Sequence, residues 1–204
     1  LNLNLSAYKS DCCSVFIFGT RISYCTKYNF NVFSHYLMNM DPAKILKDAG
    51  RVLKINNPYF TTKSKSEEIK LKTNDGQVLN CFIPAVLYIG EASSRNGFNG
   101  STNEEQASVY QWLEYCLLKS QSPSYEILKE LNIFLQDKVY FVGNKFTIVD
   151  LIVYLSLQEI YFKMTFHDKE LYSNLSRWLR LIQNEACVQE LYPKICFAKT
   201  KLYT

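Results

Sequence analysis

Asp150 is the residue whose setting raises the sharpest chemical question. It lies in the stretch DKVYFVGNKFTIVDLIVYL, residues 137–155, at the start of a run that is apolar nearly all round. A carboxylate there can serve as a catalytic base, a ligand or a helix cap. Thr147 stands three residues earlier, which is capping-box spacing, and Phe146 and Leu151 occupy the positions of a hydrophobic staple. We therefore predict that Thr147 and Asp150 are a structural cap on a buried core helix rather than catalytic residues.

Cysteine and histidine are the other residues that bind metals or act as nucleophiles. The chain has seven cysteines and two histidines, scattered along it and without a Cys-x-x-Cys pair. This spacing argues against a zinc site and against the disulfide framework of a small secreted domain. It favours reduced thiols that are mostly buried, so we predict no metal and no cofactor. The residues concerned are Cys12, Cys13, Cys25, Cys81, Cys116, Cys187, Cys196, His35 and His167.

Composition and charge limit the class of protein. The chain has 204 residues, of which 48% are hydrophobic and 15% aromatic, enough to fill the core of one domain or of two small ones. The net charge of +4 is small and the lysines are dispersed, whereas nucleic-acid-binding proteins concentrate basic residues on one face. No apolar run reaches the roughly 18 residues that span a bilayer. We expect no membrane contact and no direct contact with nucleic acid.

The part of the chain before residue 93 shows a small α/β pattern. Asp41-Pro42 predicts a helix start, with an acid as N-cap followed by a proline that needs no N–H there. Asn74-Asp75-Gly76 predicts the turn of a hairpin. The predicted elements are a helix over 42–55, strands over 69–72 and 77–79, and a helix from Pro84, in its first position, to about Ala92.

After the linker SSRNGFNG, every periodic segment predicts helix. Ser101 and Glu104 have capping-box spacing and open a helix to about Leu118, and Ser122-Pro123 opens a second one to about Gln136. The segment 168–184 predicts one helix with a single apolar face, and a shorter helix follows over 185–192. That apolar face holds Leu175, Trp178, Leu179 and Ile182, while Arg177 and Arg180 lie off it.

The cap segment resembles a known fold family. GNKFTIVD, residues 143–150, followed by a buried helix, resembles the C-terminal domain of glutathione transferases, and the unit at 69–91 is similar to the last hairpin and helix of a thioredoxin-like half-domain. The resemblance implies a mainly α, glutathione transferase-like fold. Its parts would be a reduced thioredoxin-like α/β subdomain over 40–92 and an all-α domain over 101–204. We expect residues 1–39, outside the match, to be disordered or an artefact of the assumed translation start, with a targeting segment as the alternative.

Four longer blocks resemble the non-catalytic glutathione transferase-like subunits of the multi-tRNA synthetase complex. That resemblance implies a scaffold that binds related appended domains of methionyl-tRNA synthetase and of glutamyl-prolyl-tRNA synthetase, together with other scaffold proteins of the complex. It also implies a cytoplasmic protein with a nuclear role in DNA-damage signalling. The blocks are QWLEYCL at 111–117, LKELNIFLQDKVYFVGNKFTIVDLIVYLSL at 128–157, YSNLSRWLRLIQ at 172–183 and KTKLYT at 199–204.

The resemblance also implies two partner-binding faces. The first would be the helix at 84–92 with the start of the next helix. The second would centre on Arg177, where a guanidinium can pair with a partner carboxylate, although a solvated surface arginine is the alternative. We assign Trp112 and Trp178 to the core. The partner-binding residues that we predict are Leu87, Tyr88 and Glu91 on the first face, and Arg177, Arg180, Asp137 and Val139 on the second.

Two other functions remain as alternatives. A glutathione transferase needs a thiol-activating residue, a cis-proline before the hairpin and a Gln-Ser type pair at the next helix start. Those places fall near Ile69 and near Cys81-Phe82, which cannot hold a γ-glutamyl group, so we predict no enzyme and no catalytic residue. Weak tRNA binding by the dispersed lysines is the second alternative, and it would show a steep dependence on salt.

Overall fold

Residues 41–55, 59–60, 69–119 and 124–197 are described by the computed structural model, and within them the chain is mainly helical. Predictions for residues 1–39, the helix opening at 122–123 and the block at 199–204 lie outside these ranges. The elements are α1 (Pro42–Val52), β1 (Tyr59–Phe60), β2 (Leu71–Lys72), β3 (Val78–Leu79), α2 (Phe82–Ala92), α3 (Asn103–Leu118), α4 (Ser124–Phe134), α5 (Ile148–Lys163), α6 (Phe166–Leu171), α7 (Ser173–Ile182) and α8 (Ala186–Gln189).

The start of α1 follows the prediction, and its end does not. The Asp41 carboxylate accepts the N–H groups of Ala43 and Lys44 at 3.0 and 3.3 Å, with Pro42 in the first turn. The helix was expected to continue to residue 55. It ends at Val52 because Lys54 takes a left-handed backbone conformation, with φ of 52°, that an α-helix cannot contain.

The small sheet has the order β1-β2-β3 with antiparallel neighbours. Leu71 faces Leu79 across the β2–β3 hairpin. Its predicted turn is present, with the Thr73 N–H donating to the Gln77 carbonyl at 2.8 Å and with φ of 81° at Gly76. Such a φ favours glycine, which explains why this sequence can make the turn.

Helix α2 begins two residues before the predicted start. Its N-cap is Cys81 and its first residue is Phe82, so Pro84 stands at the third helical position and not at the first. The assignment of Pro84 to the first position was wrong. A proline is tolerated at the third position for the same physical reason, since the first four N–H groups of a helix have no acceptor within it.

The N-cap of helix α3 lies one residue later than predicted. Thr102 is the N-cap and accepts the Glu105 N–H at 3.2 Å, while the Glu105 carboxylate accepts the Ser101 N–H at 2.6 Å. The predicted box of Ser101 with Glu104 was therefore wrong. The sequence fits both registers, and the second also brings the Glu105 carboxylate within 3.3 Å of the Lys145 ammonium.

The single helix predicted over 168–184 is two helices. Tyr172, with φ of −105° and ψ of 54°, separates α6 from α7. The new helix start is capped from another element, because the Asn132 side-chain carbonyl on α4 accepts the N–H groups of Asn174 and Leu175 at 3.0 and 3.1 Å. An acceptor so far away in sequence cannot be seen from local periodicity. The apolar face of α7 is nevertheless buried as predicted, at Leu175, Trp178, Leu179 and Ile182.

Helix α5 is the central helix. It packs against α1, α2, α3 and α7, and every residue from Ile148 to Leu155 is buried, which confirms the predicted core helix. Trp112 is only partly buried, with its ring edge-on to Phe134 and Phe141 at centroid distances of 4.5 and 4.8 Å. The domain boundary proposed between residues 92 and 101 stays a prediction.

Gly90 on α2 provides a test of this packing. A Cβ at Gly90 would overlap the Asn99 side chain, whose Nδ2 donates to the Leu87 carbonyl at 2.7 Å. Although alanine is favoured in helices by about 1 kcal/mol over glycine, we expect Gly90→Ala to lower the free energy of unfolding by about 1–3 kcal/mol. Urea unfolding measures this loss.

The matched control is the same change in a chain that carries Asn99→Ala. There the overlap is gone, so Gly90→Ala should be neutral or stabilising. Equal losses in both backgrounds would contradict the packing described.

Candidate functional site

The Asp150 carboxylate is a buried junction of three segments. One oxygen, Oδ2, accepts the backbone N–H and the hydroxyl of Thr147 at 3.0 and 2.9 Å. The other, Oδ1, accepts the Phe141 N–H at 3.1 Å and the Trp178 indole N–H at 2.9 Å. Asp150 is 0% exposed, and it forms the expected capping box with Thr147. The structural assignment of both residues agrees with this geometry, and the carboxylate is saturated with donors.

Burial and hydrogen bonding act on Asp150 in opposite directions. Removal from water raises the pKa of the carboxyl, while the hydrogen bonds from Trp178, Thr147 and Phe141 lower it. Burial has the larger effect, and the resulting pKa is about 6. Phe146, the residue before the N-cap, lies against Phe98 with ring centroids 5.4 Å apart. Its staple contact with Leu151 stays a prediction.

The junction holds one end of an exposed loop, and Arg177 holds the other. We call residues 135–141 the anchored loop. Arg177 on α7 donates through Nη2 to the carbonyls of Leu135 and Lys138 at 2.6 and 3.1 Å, and the N–H of Phe141 is bound by Asp150. The loop is therefore tied to α7 and to the start of α5 by side chains rather than by sheet or helix bonds.

The structure brings three of the predicted partner-binding residues together here. Asp137 and Val139 flank Lys138, whose carbonyl Arg177 binds. Val139 is 57% exposed and the Asp137 side chain 78%, and Asp137 pairs with the Lys138 ammonium at 2.9 Å. Ile133, at the end of α4, is 60% exposed and was missed. Its position opposite the buried face of α4 was the signal that could have found it.

Arg180 contacts the C-terminal segment rather than the anchored loop. Its guanidinium carbon lies 5.3 Å from the centre of the Phe197 ring, where it stacks on the C-terminal segment. The contact accounts for a basic side chain off the apolar face of α7 without a partner protein. Its role in partner binding stays a prediction.

The first predicted face is less exposed than expected. Leu87 and Tyr88 on α2 are partly buried against the core, and the Tyr88 hydroxyl accepts the Asn74 N–H from the hairpin turn at 2.9 Å. Glu91 is exposed. On neighbouring α3, the exposed side chains of Tyr110 and Leu118 were missed by the sequence reasoning. Both are apolar residues off the buried stripe of their helix, which is the pattern that could have revealed them.

Metal binding, thiol chemistry and membrane insertion find little support in the described residues. Within 41–55, 69–119 and 124–197, no cluster of three or more His, Cys, Asp or Glu side chains has a metal-binding arrangement. Burial raises the pKa of the Cys116 thiol to about 12, so that thiol is not a nucleophile at neutral pH. None of the helices in these ranges is long and apolar enough to cross a bilayer.

Solved glutathione transferases share this fold. A class Gtt2 glutathione S-transferase of Vibrio parahaemolyticus matches with a TM-score of 0.55 and 18% identity, over 72% of this chain and 91% of that one. A possible glutathione S-transferase of Rhodopseudomonas palustris matches with a TM-score of 0.56 and 16% identity, over 74% and 92%. The predicted mainly α, glutathione transferase-like fold is confirmed.

Sequence relatives define the family within that fold. Human eukaryotic translation elongation factor 1 epsilon-1 is 34% identical over 139 residues, which are 66% of this chain and 80% of the human protein. The mouse protein of that name is 33% identical over 156 residues, 74% and 89% of the two chains. The family described as nuclear-export cofactor Arc1p matches residues 105–186. The chain belongs to the family of eukaryotic translation elongation factor 1 epsilon-1.

Removal of the Asp150 carboxylate tests its structural role. Asp150→Ala leaves the buried donors of Trp178, Phe141 and Thr147 without an acceptor, so we expect a loss of about 3–4 kcal/mol in the free energy of unfolding at neutral pH. Chemical denaturation followed by tryptophan fluorescence measures it. Asp137→Ala is the matched control on the exposed loop and should change stability by less than about 0.5 kcal/mol. Similar losses in the two variants would contradict the assignment.

The raised pKa of Asp150 gives a second test. A carboxyl whose folded pKa is about 6 and whose ordinary value is 3.8 binds its proton more tightly in the folded chain. Its favourable contribution is therefore complete below about pH 4 and falls as the pH rises through about 6. We expect the stability advantage of the wild type over Asp150→Asn to fall between these values by up to about 3 kcal/mol, measured by denaturation at each pH. An advantage that grows over the same interval would place the folded pKa below the ordinary one.

Proposed function

We propose that this protein is a non-catalytic adaptor of the translation apparatus that binds glutathione transferase-like domains of aminoacyl-tRNA synthetases. The observation that carries the proposal is the anchored loop, which presents Asp137 and Val139 at the surface beside Arg177. The family to which the chain belongs supports a role in translation, because its curated members are named as an elongation factor subunit.

The anchoring makes this surface suitable for binding. A loop that is already held at both ends loses little conformational freedom when a partner docks, so more of the contact energy appears as affinity. Arg177 uses only Nη2 for its two carbonyl bonds, and the donors on Nε and Nη1 are not part of them. A partner carboxylate can pair with those donors, and the exposed Val139 adds apolar contact area.

The face of α2 is the second proposed surface. Glu91 is exposed there, and Leu87 and Tyr88 are packed on the core behind it. We assign this surface to the appended domain of methionyl-tRNA synthetase and the anchored-loop surface to that of glutamyl-prolyl-tRNA synthetase. Because the two surfaces lie on different elements, one chain can hold both partners and act as a scaffold with the other scaffold proteins of the multi-tRNA synthetase complex.

The residues at the positions that hold glutathione in glutathione transferases support a non-enzymatic role. The position of the cis-proline in glutathione transferases falls near Ile69, which is buried. Cys81 precedes α2 as its N-cap but makes no side-chain capping bond, and the next residue, Phe82, is buried. None of these three side chains offers the strong hydrogen-bond donors and acceptors that a γ-glutamyl group requires.

We further propose a cytoplasmic protein with a nuclear pool that serves DNA-damage signalling. The match over residues 105–186 to the family described as nuclear-export cofactor Arc1p supports movement between the two compartments. Imaging of the tagged chain before and after DNA damage tests this part separately from partner binding. An unchanged and purely cytoplasmic signal would contradict it.

The primary experiment mixes the chain with each appended domain and measures mass by light scattering on a sizing column. We expect a one-to-one complex with each partner. Val139→Glu should weaken the complex with the glutamyl-prolyl enzyme by about 100-fold, because it places a new charge in the contact, and Glu91→Arg should do the same to the methionyl enzyme.

Each variant serves as the control for the other. Val139→Glu should leave the methionyl complex intact, and Glu91→Arg should leave the glutamyl-prolyl complex intact. Loss of both complexes in either variant would show that the two surfaces are not separate. Separate monomer peaks for the wild type at tens of micromolar would contradict the adaptor role.

A further inference from the structure

The segment Ile195–Phe197 lies across the helices in an extended form. Ile195 and Phe197 are buried and Cys196, between them, is exposed. This alternation is that of a strand with one face against a surface. The surface here is not a sheet, because the segment contacts side chains of α5, α6 and α7. We call residues 195–197 the strap.

Gln183 at the end of α7 binds the strap through its backbone. Its side-chain carbonyl accepts the Ile195 N–H at 2.9 Å, and its Nε2 donates to the Ile195 carbonyl at 3.4 Å. One amide thus satisfies both backbone groups of one residue, as a neighbouring antiparallel strand does. Gln183 is buried, so this pairing occurs out of water. It recognises an extended backbone independently of the side chain that the residue carries.

Lys169 on α6 supplies a second backbone contact. Its ammonium donates to the Cys196 carbonyl at 3.0 Å and lies 5.6 Å from the centre of the Phe166 ring. The residue is buried, and burial lowers the pKa of its ammonium. A buried ammonium needs acceptors to replace its water shell, and the strap provides one. The groove therefore favours an extended chain with a carbonyl at this position.

Two buried side chains, two residues apart, set the spacing of the anchors. Phe197 lies between the Tyr161 ring, with centroids 6.3 Å apart, and the Arg180 guanidinium at 5.3 Å. Ile195 is buried two residues earlier. The groove thus accommodates an aliphatic residue, any residue, and then an aromatic residue, in which the middle side chain faces water.

We propose that this groove, formed by Tyr161, Lys169, Arg180 and Gln183, is a binding site for extended peptides of the form aliphatic-any-aromatic. The strap is its occupant in the free protein and is displaced when a partner peptide of that form takes its place. The four residues of this site differ from those of the two adaptor surfaces of the proposed function, although Arg180 lies on α7 three residues from Arg177. In this site Arg180 stacks on an aromatic ring and does not pair with a carboxylate.

The strap is short enough to open alone. Only two anchor side chains are buried, and Pro193 and Lys194 just before them are exposed. A segment held by a few contacts at the edge of a core opens with a smaller free energy than the core itself. Opening leaves both side chains in place, because Lys169 belongs to α6 and Gln183 is the C-cap of α7, with its backbone N–H bound to the Leu179 carbonyl. The groove therefore keeps its form for another peptide.

The test measures binding of a labelled synthetic peptide of residues 192–199 to the full chain by fluorescence anisotropy. The double variant Ile195→Ala with Phe197→Ala weakens the chain's own strap and leaves the groove intact. We expect it to bind the peptide at least about tenfold more tightly than the wild type, in which the strap competes. Gln183→Leu added to the double variant should remove that gain. Cys196→Ala, on the exposed middle residue, is the matched control and should behave as the wild type.

Two results would overturn the proposal. One is equal binding by the wild type and the double variant. The other is absence of binding to the double variant while its circular dichroism shows a folded chain with a cooperative melt.

Hydrogen exchange on the wild-type chain decides the case if the double variant does not fold. A displaceable strap requires the Ile195 amide to exchange at least about tenfold faster than the core amides of α5 once intrinsic rates are removed. If the Ile195 amide exchanges only when the whole chain unfolds, the strap is a fixed part of the core and the proposal is contradicted.

Discussion

A single buried carboxylate joins the parts of this molecule that must keep their relative positions. Asp150 accepts donors from Thr147 at the start of α5, from Phe141 in the anchored loop and from Trp178 on α7. A charge removed from water is unfavourable unless its oxygens are satisfied, so the carboxylate favours the one arrangement in which all three segments converge on it. The central helix, the loop and the apolar face of α7 are positioned by the same group.

That junction explains how a helical core can present a defined surface on a loop. The anchored loop has no regular secondary structure, yet Asp150 and Arg177 bind its backbone near its two ends. The strap is held by the same principle, with Gln183 and Lys169 as the side chains that replace a neighbouring strand. In both segments, hydrogen bonds from side chains to backbone groups hold a stretch of chain that belongs to no helix or sheet.

The prediction from sequence found the central cap and the buried faces from local signals, misplaced the starts of α2 and α3 by one or two residues, and failed where a distant residue decided. The Thr147–Asp150 box and the buried face of α7 follow from spacing alone, and both are present. The start of α7 was missed because its acceptor, Asn132, lies on another helix. Of the predicted site residues, the grouping of Arg177 with Asp137 and Val139 was foreseen. The carbonyl bonds of Arg177 were not, because a side chain off the apolar face gives no sign of its backbone acceptors.

By itself, the sequence determined the class of the molecule. The all-round apolar run after Asp150 requires a central helix, since such a segment can only be stable when surrounded, and the cap residues mark where that helix begins. The tertiary structure alone decided which donors Asp150 would meet, which acceptors Arg177 and Gln183 would bind, and that Phe197 would lie on Arg180. Those contacts join residues that are separated in the chain. The periodicity of a sequence shows on which side of its own helix a side chain lies, but not which residues the rest of the fold places opposite it.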